Sequence, residues 1–188
     1  MGVFSRRNII KACNRDIFTN YQTLFMNSSH SSKGHKVVTS HNGRRRLGQI
    51  EQLFTNCLPA DGHPYFRDVC RLQVSSHLLI RRDGALVQFV PFDKRAWHAG
   101  QSCYQGRENC NDFSIGIELE GTDDSPFEPS QYQVLAQVIR SLLDAYPGLS
   151  ARRIVGHSDI APDRKTDPGS GFDWALLQRL LDDTPSTD

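Results

Sequence analysis

A chain of 188 residues, 38% hydrophobic and 23% charged, is long enough to bury one sizeable core, and a formal charge of +1 lacks the basic excess on which nucleic-acid binding leans. No stretch approaches the roughly 18 apolar residues of a membrane span. The five cysteines, Cys13, Cys57, Cys70, Cys103 and Cys110, are odd in number and form no C-x-x-C pair, which fits free thiols in a reducing compartment, so a cytoplasmic protein is expected.

At the N-terminus, Arg6 and Arg7 are followed by Lys11, Asn14, Arg15 and Asp16, which leaves no apolar segment for a secretory signal. Residues 1 to 46 hold nine Lys or Arg against the single acid Asp16, so the remainder is net acidic. Residues 1 to 35 show no sustained period and end in the polar run Asn27-Ser28-Ser29-His30-Ser31-Ser32-Lys33-Gly34. We therefore set residues 1–36 apart as a poorly specified segment, with one domain at 37–183 and a tail at 184–188. Val37-Val38 reads as the stub of a first strand, and Leu47, Ile50, Leu53 and Phe54 follow helical spacing.

Gln73 to Arg82 is aliphatic, Asp83-Gly84 turns the chain, and Ala85 to Val90 alternates, which predicts a hairpin. Phe113 to Leu119 predicts a further strand that places Ser114, Gly116, Glu118 and Glu120 on one face. A long amphipathic helix follows, opened by Pro129, carrying Tyr132, Leu135, Ile139, Leu142 and Tyr146, and stopped by Pro147-Gly148. Arg153 to Val155 reads as a short buried strand, and Asp173 as the cap of a last helix burying Trp174, Leu177 and Leu181. Hairpin strands combined with a helical crossover predict an α/β fold, a single domain with a mixed central sheet flanked by helices.

Chemistry concentrates in Gly156-His157-Ser158-Asp159-Ile160-Ala161-Pro162-Asp163-Arg164-Lys165-Thr166-Asp167-Pro168-Gly169. The prolines and the closing Gly predict a loop rather than helix or strand, leaving the end of the preceding strand. His157 and Asp167 are both good zinc ligands, and a catalytic zinc takes three protein ligands and keeps a fourth position open. Lys165 beside such a centre suits an oxyanion better than a metal. On spacing alone, two ordinary loop residues and a surface lysine describe the same run equally well. Glu118 is a carboxylate on a predicted sheet strand, costly if it faces inward without a partner or a task, and ordinary if it faces solvent on an edge.

This run, together with Val74-Ser75-Ser76-His77-Leu78-Leu79-Ile80-Arg81-Arg82-Asp83-Gly84, Pro91-Phe92-Asp93-Lys94-Arg95-Ala96-Trp97-His98-Ala99-Gly100 and Asn111-Asp112-Phe113-Ser114-Ile115-Gly116-Ile117-Glu118-Leu119-Glu120-Gly121, closely resembles the AmpD family. These are cytoplasmic zinc amidases acting on 1,6-anhydro-N-acetylmuramyl-L-alanine, related to the T7 lysozyme and peptidoglycan-recognition-protein group. The likeness runs from about Leu47 to Leu181, in order. It implies hydrolysis of the amide between (1,6-anhydro-)N-acetylmuramic acid and L-alanine of peptidoglycan fragments, in cell-wall recycling, with Zn2+ as cofactor and a muropeptide as partner. A monomer is expected, binding neither nucleic acid nor membrane. The same resemblance makes Glu118 the catalytic acid/base, with Glu120 second, Lys165 the group that stabilises the tetrahedral intermediate, and His157 and Asp167 two zinc ligands.

The third ligand in that family is a His at the end of the first strand, in a V-V-H-N signature. Here Val37-Val38 and His41-Asn42 are separated by Thr39-Ser40, and the flanking residues do not match. His41 is the expected third ligand, with His35 behind it. Without either, the chain becomes a muropeptide-binding relative lacking a complete zinc site. Asn42, His77, Trp97, His98 and Arg107 are the expected substrate-facing residues. Three of these also have a plainer reading: His77 as a buried, hydrogen-bonded strand residue, Trp97 as core, and Arg107 as a solvated loop charge.

Overall fold

The computed structural model describes residues 21–27, 48–64 and 66–183. Five strands, β1 (Tyr21–Asn27), β2 (Leu78–Ile80), β3 (Leu86–Gln88), β6 (Ser114–Glu120) and β7 (Ile154–Gly156), make one sheet in the order β3-β2-β6-β1-β7. The strands β4 (Cys103–Tyr104) and β5 (Arg107–Glu108) pair separately as a small hairpin. β2 runs parallel to β6 and every other neighbouring pair is antiparallel, so the sheet is mixed, as expected. The helices are α1 (Gln49–Phe54), α2 (Phe66–Val69), α3 (Pro129–Ala145), α4 (His157–Ile160) and α5 (Trp174–Asp182).

The expected hairpin is present but short. Leu78 pairs with Gln88 and Ile80 with Leu86, and Arg81 N donates to Ala85 O across the Asp83-Gly84 turn, where Gly84 has φ of 81°. β6 is the buried middle of the sheet. Ile115, Ile117 and Leu119 on one face join Leu78 and Ile80 against Tyr132, Leu135, Ile139 and Leu142 of α3. Removing each such aliphatic side chain from water is worth about 1.5–3 kcal/mol, so this face holds the sheet and α3 together. Pro129 opens α3 and Tyr146 closes it, as the sequence predicts.

Three expectations are corrected. Trp174 is 38% exposed, because α5 lays Leu177 inward and its first residue falls at the rim; the Trp174 ring instead meets Phe172 edge-on. His157 to Ile160, assigned to loop, form one helical turn, since the prolines begin only at Pro162 and the Asp159 carboxylate accepts from Gly156 N at 2.7 Å. Finally, Tyr21–Asn27, which local pattern leaves unassigned, is a seven-residue strand pairing β6 along its whole length and β7 at its end. Val37-Val38, His35, His41 and Asn42 lie outside the described residues.

Candidate active site

The sheet has two unlike faces, and Gly116 and Glu118 of β6 lie on the one turned away from α3. Gly116 lies on that face, and a Cβ there would stand 2.5 Å from Cγ of His98. The imidazole therefore lies against bare backbone, which only glycine allows. Glu118 is two residues further along the same face, 4% exposed and buried in the middle strand, so the edge-strand alternative does not hold. Glu120 Oε2 accepts from Arg82 N at 3.1 Å, a contact that fixes the hairpin.

β7 delivers His157 directly from its last residue, Gly156. In the register, Glu118 faces Thr23 and Gly156 faces Leu24, so the two site strands flank β1, their backbones separated by about 10 Å at two strand spacings. The run then turns back on itself: Ser158 N donates to Asp167 O at 2.9 Å, and Arg164 N and Lys165 N both donate to Ala161 O at 3.0 Å. That closure brings His157 Nδ1 within 3.1 Å of Asp167 Oδ2, both side chains buried. Burial holds the His157 imidazole below its ordinary proton affinity, Asp167 opposes that, and the charge of Lys165 adds to it.

The other ring nitrogen, Nε2, lies 3.1 Å from Ala99 O. The two ring nitrogens thus face two acceptors, the Asp167 carboxylate and the Ala99 carbonyl, and the single proton of a neutral imidazole can serve only one of them. With the proton off Nδ1, an imidazole nitrogen and a carboxylate oxygen 3.1 Å apart suit a shared cation. Two ligands of a tetrahedral zinc, each about 2.0–2.1 Å from the metal, stand roughly 3.3 Å from one another. The pair therefore fits the metal in distance and in donor type, with His41, the expected third ligand, outside the described residues.

The remaining expected residues are distributed as follows. Lys165 is half-buried in the turn before Asp167. His77 is 1% exposed, with Nδ1 accepting from Gly116 N at 3.0 Å and Nε2 donating to Lys94 O at 3.1 Å, so both nitrogens are engaged by backbone. This is the buried, hydrogen-bonded arrangement that a strand histidine adopts most often. His98 packs edge-on against His77 with centroids 5.4 Å apart, and burial, reinforced by His77 and His157, keeps it well below the usual histidine range. Trp97 is 54% exposed, not core, with the Arg95 guanidinium 3.7 Å over its ring and Arg95 Nε 2.5 Å from Asp112 Oδ1. Arg107, on β5, lies 3.9 Å over the Phe113 ring.

Sequence reading overlooked Arg95, Asn111 and Arg164. Arg95 and Arg164 stand within the quoted motifs, two residues before Trp97 and one before Lys165, and an arginine so close to a functional side chain is the signal that was available. Asn111 gives no such signal, because its partners are backbone groups.

The profile of the family described as N-acetylmuramoyl-L-alanine amidase matches residues 31–170. Among curated relatives, the 1,6-anhydro-N-acetylmuramyl-L-alanine amidase AmpD of Escherichia coli K12 is 61% identical over 132 residues, covering 70% of this chain and 72% of its own length. The crystal structure of a selenomethionine AmpD derivative superposes with a TM-score of 0.69 at 58% identity, covering 71% of this chain and 74% of the other. A complex of the Escherichia coli amidase AmiD with anhydro-N-acetylmuramic acid-L-Ala-D-γ-Glu-L-Lys superposes with a TM-score of 0.54 at 36% identity, covering 62% of this chain and 51% of that one.

Proposed function

The chain belongs to the N-acetylmuramoyl-L-alanine amidase family, and from that premise we propose a zinc-dependent hydrolysis carried by the buried His157–Asp167 pair. The bond cleaved joins the lactyl group of 1,6-anhydro-N-acetylmuramic acid to the L-alanine of a peptidoglycan stem peptide, in cell-wall recycling. His157 Nδ1 and Asp167 Oδ2 would hold the metal, with His41 as third ligand. When bound, zinc supplies Lewis acidity, lowering the pKa of water toward neutrality and polarising the scissile carbonyl.

The chain's own side chains do the rest. Glu118, on the same sheet face, accepts the proton of the attacking water and returns it to the departing amide nitrogen. Lys165 presents its ammonium to the oxyanion of the tetrahedral intermediate. Trp97 offers an exposed ring to the sugar, and Arg107 a fork for a stem-peptide carboxylate, with Asn42 toward the substrate, while His77, buried and bonded to backbone at both nitrogens, supports the site from beneath with His98 against it. Among the described residues no helix is long and apolar enough to cross a membrane, and the four described cysteines, Cys57, Cys70, Cys103 and Cys110, are free thiols, which supports a cytoplasmic reaction.

The deciding experiment follows release of stem peptide from anhydromuropeptide by mass spectrometry, with and without chelator, alongside zinc content after dialysis. Chelator-sensitive release and about one zinc per chain, as expected of a single catalytic site, are the predicted outcome. Muropeptide binding with neither zinc nor release would instead make the chain a binding module.

A further inference from the structure

We propose that Arg95 and Asp112 are positioning residues for substrate recognition, which together hold the exposed Trp97 indole as a preformed platform for the apolar face of the anhydrosugar. That the ring meets a sugar rests on the amidase reading. The brace itself rests on geometry alone.

Trp97 exposes more than half of its surface, yet its backbone and its ring are both tied down. Trp97 N donates to Ser75 Oγ at 3.0 Å, and Trp97 O accepts from Ser75 N at 3.1 Å. The next two amides, of His98 and Ala99, donate to Asn111 Oδ1 at 3.0 and 2.7 Å, and Ala99 O accepts from Arg164 Nη2 at 2.7 Å. The ring is held separately: the Arg95 guanidinium lies 3.7 Å over its centroid, and Arg95 Nε stands 2.5 Å from Asp112 Oδ1. Asp112 is fixed in turn, its N donating to Asn109 O at 2.9 Å in the turn that leads into β6. Consecutive residues therefore secure one loop at two levels, Asn111 its backbone and Asp112, through Arg95, its indole.

The same loop touches the site. Ala99 O, two residues beyond Trp97, lies 3.1 Å from His157 Nε2, and His98 rests against Gly116 on the site face of β6. With the guanidinium over one face of the indole, the exposed surface belongs to its other face and its edges. The charge of Arg95 is answered by the Asp112 carboxylate, so the platform presents a flat apolar surface with little net charge beside it. That suits the neutral C–H face of a sugar, whereas an ammonium group would meet a ring whose electrons already serve one cation. A ring held in place before the ligand arrives loses less freedom on binding, which is what the brace contributes.

The test uses the full chain supplied with zinc and carrying Trp174→Phe, which leaves Trp97 as its one tryptophan. Time-resolved fluorescence anisotropy of the ligand-free protein should show the indole loosened in Arg95→Ala and Asp112→Asn, with Arg95→Lys, which keeps the charge but not the planar fork, in between. With anhydromuropeptide as substrate, Arg95→Ala and Asp112→Asn should raise KM about 2–5-fold with little change in kcat, the factor expected of an exposed cation–π contact. The same substitutions made on top of Trp97→Ala should add nothing, since they act through the ring. An indole no looser in Arg95→Ala overturns the proposal. So does a loosened indole with unchanged KM, or a loss that simply adds to that of Trp97→Ala, either of which reduces Arg95 to surface packing. A chain that binds the muropeptide in calorimetry without cleaving it, with Kd following the same pattern across the variants, would defeat the amidase reading and uphold the platform. Cleavage accompanied by any of the overturning patterns would do the reverse, and neither cleavage nor binding would sink both.

Discussion

Glu118, His157 and Asp167 are all buried, so each carries a desolvation cost that a folded protein tolerates when the group has a partner or a task. Their tasks are separable by substitution. Replacing Glu118 with Ala removes the proposed proton carrier and leaves the His157–Asp167 pair in place. Turnover should fall about 10²–10⁴-fold while zinc stays bound; a variant of undiminished activity would remove Glu118 from its role. Asp167→Ala should lose both zinc and turnover, read by metal analysis and by peptide release. Lys165→Ala belongs to a third class: if its ammonium meets the oxyanion, kcat should drop about 10²–10³-fold with the zinc content unchanged. A change confined to KM would show that it binds substrate instead.

At the scale of elements, β6 carries two programmes at once. One face is apolar and welded to α3, and the other supplies Gly116 to His98 and Glu118 to the site. Gly116→Ala should therefore damage packing on the functional face without touching the apolar one, costing about 1–3 kcal/mol of stability through overpacking. Chemical denaturation would show it as a lower midpoint at constant slope, and an unchanged midpoint would mean that His98 moves aside freely. At α5, Asp173 Oδ1 accepts from Leu176 N at 2.8 Å, so Asp173→Ala should cost about 0.5–2 kcal/mol. Most of these elements were legible from sequence because their signals are local: Pro129 at one helix start, Asp173 at another, and Asp83-Gly84 between alternating runs. Tyr21–Asn27 was not, because no clean alternation marks it, and its strand state comes from pairing with partners some ninety residues away in sequence.

For the molecule as a whole, the buried imidazoles link stability to pH. Burial lowers the proton affinity of His77 and, more strongly, of His98 below the ordinary value of 6.5. The unfolded chain then binds protons that the folded chain refuses. Stability is complete above pH 6.5 and is lost as pH falls toward the folded values, at up to about 1.4 kcal/mol per pH unit for each imidazole. Urea midpoints should accordingly drop on the acid side of 6.5; a midpoint that holds steady there would contradict the buried, neutral state of both rings. A zinc ion held by the folded chain would act on the whole fold in the opposite sense. A metal that binds only the folded chain adds about 2.7 kcal/mol when its free concentration is about 100 times Kd. Melting with zinc and then with chelator should differ accordingly, and coincident curves would argue against a resident metal.

The residues themselves determined the kinds of chemistry present: an imidazole, a carboxylate and an amine in one short run, an acid on a strand, and the periodicities that make sheet and helix. Those are properties of neighbours along the chain. Only tertiary structure decided that Asp167 folds back onto His157, that Glu118 is buried rather than at an edge, and that Trp97 stands outside the core. It alone showed the Ala99 carbonyl between Asn111 and Arg164, because hydrogen bonds from side chain to backbone leave no trace in residue type or spacing. They depend on where the loops meet, and that is set by the packing of the entire sheet.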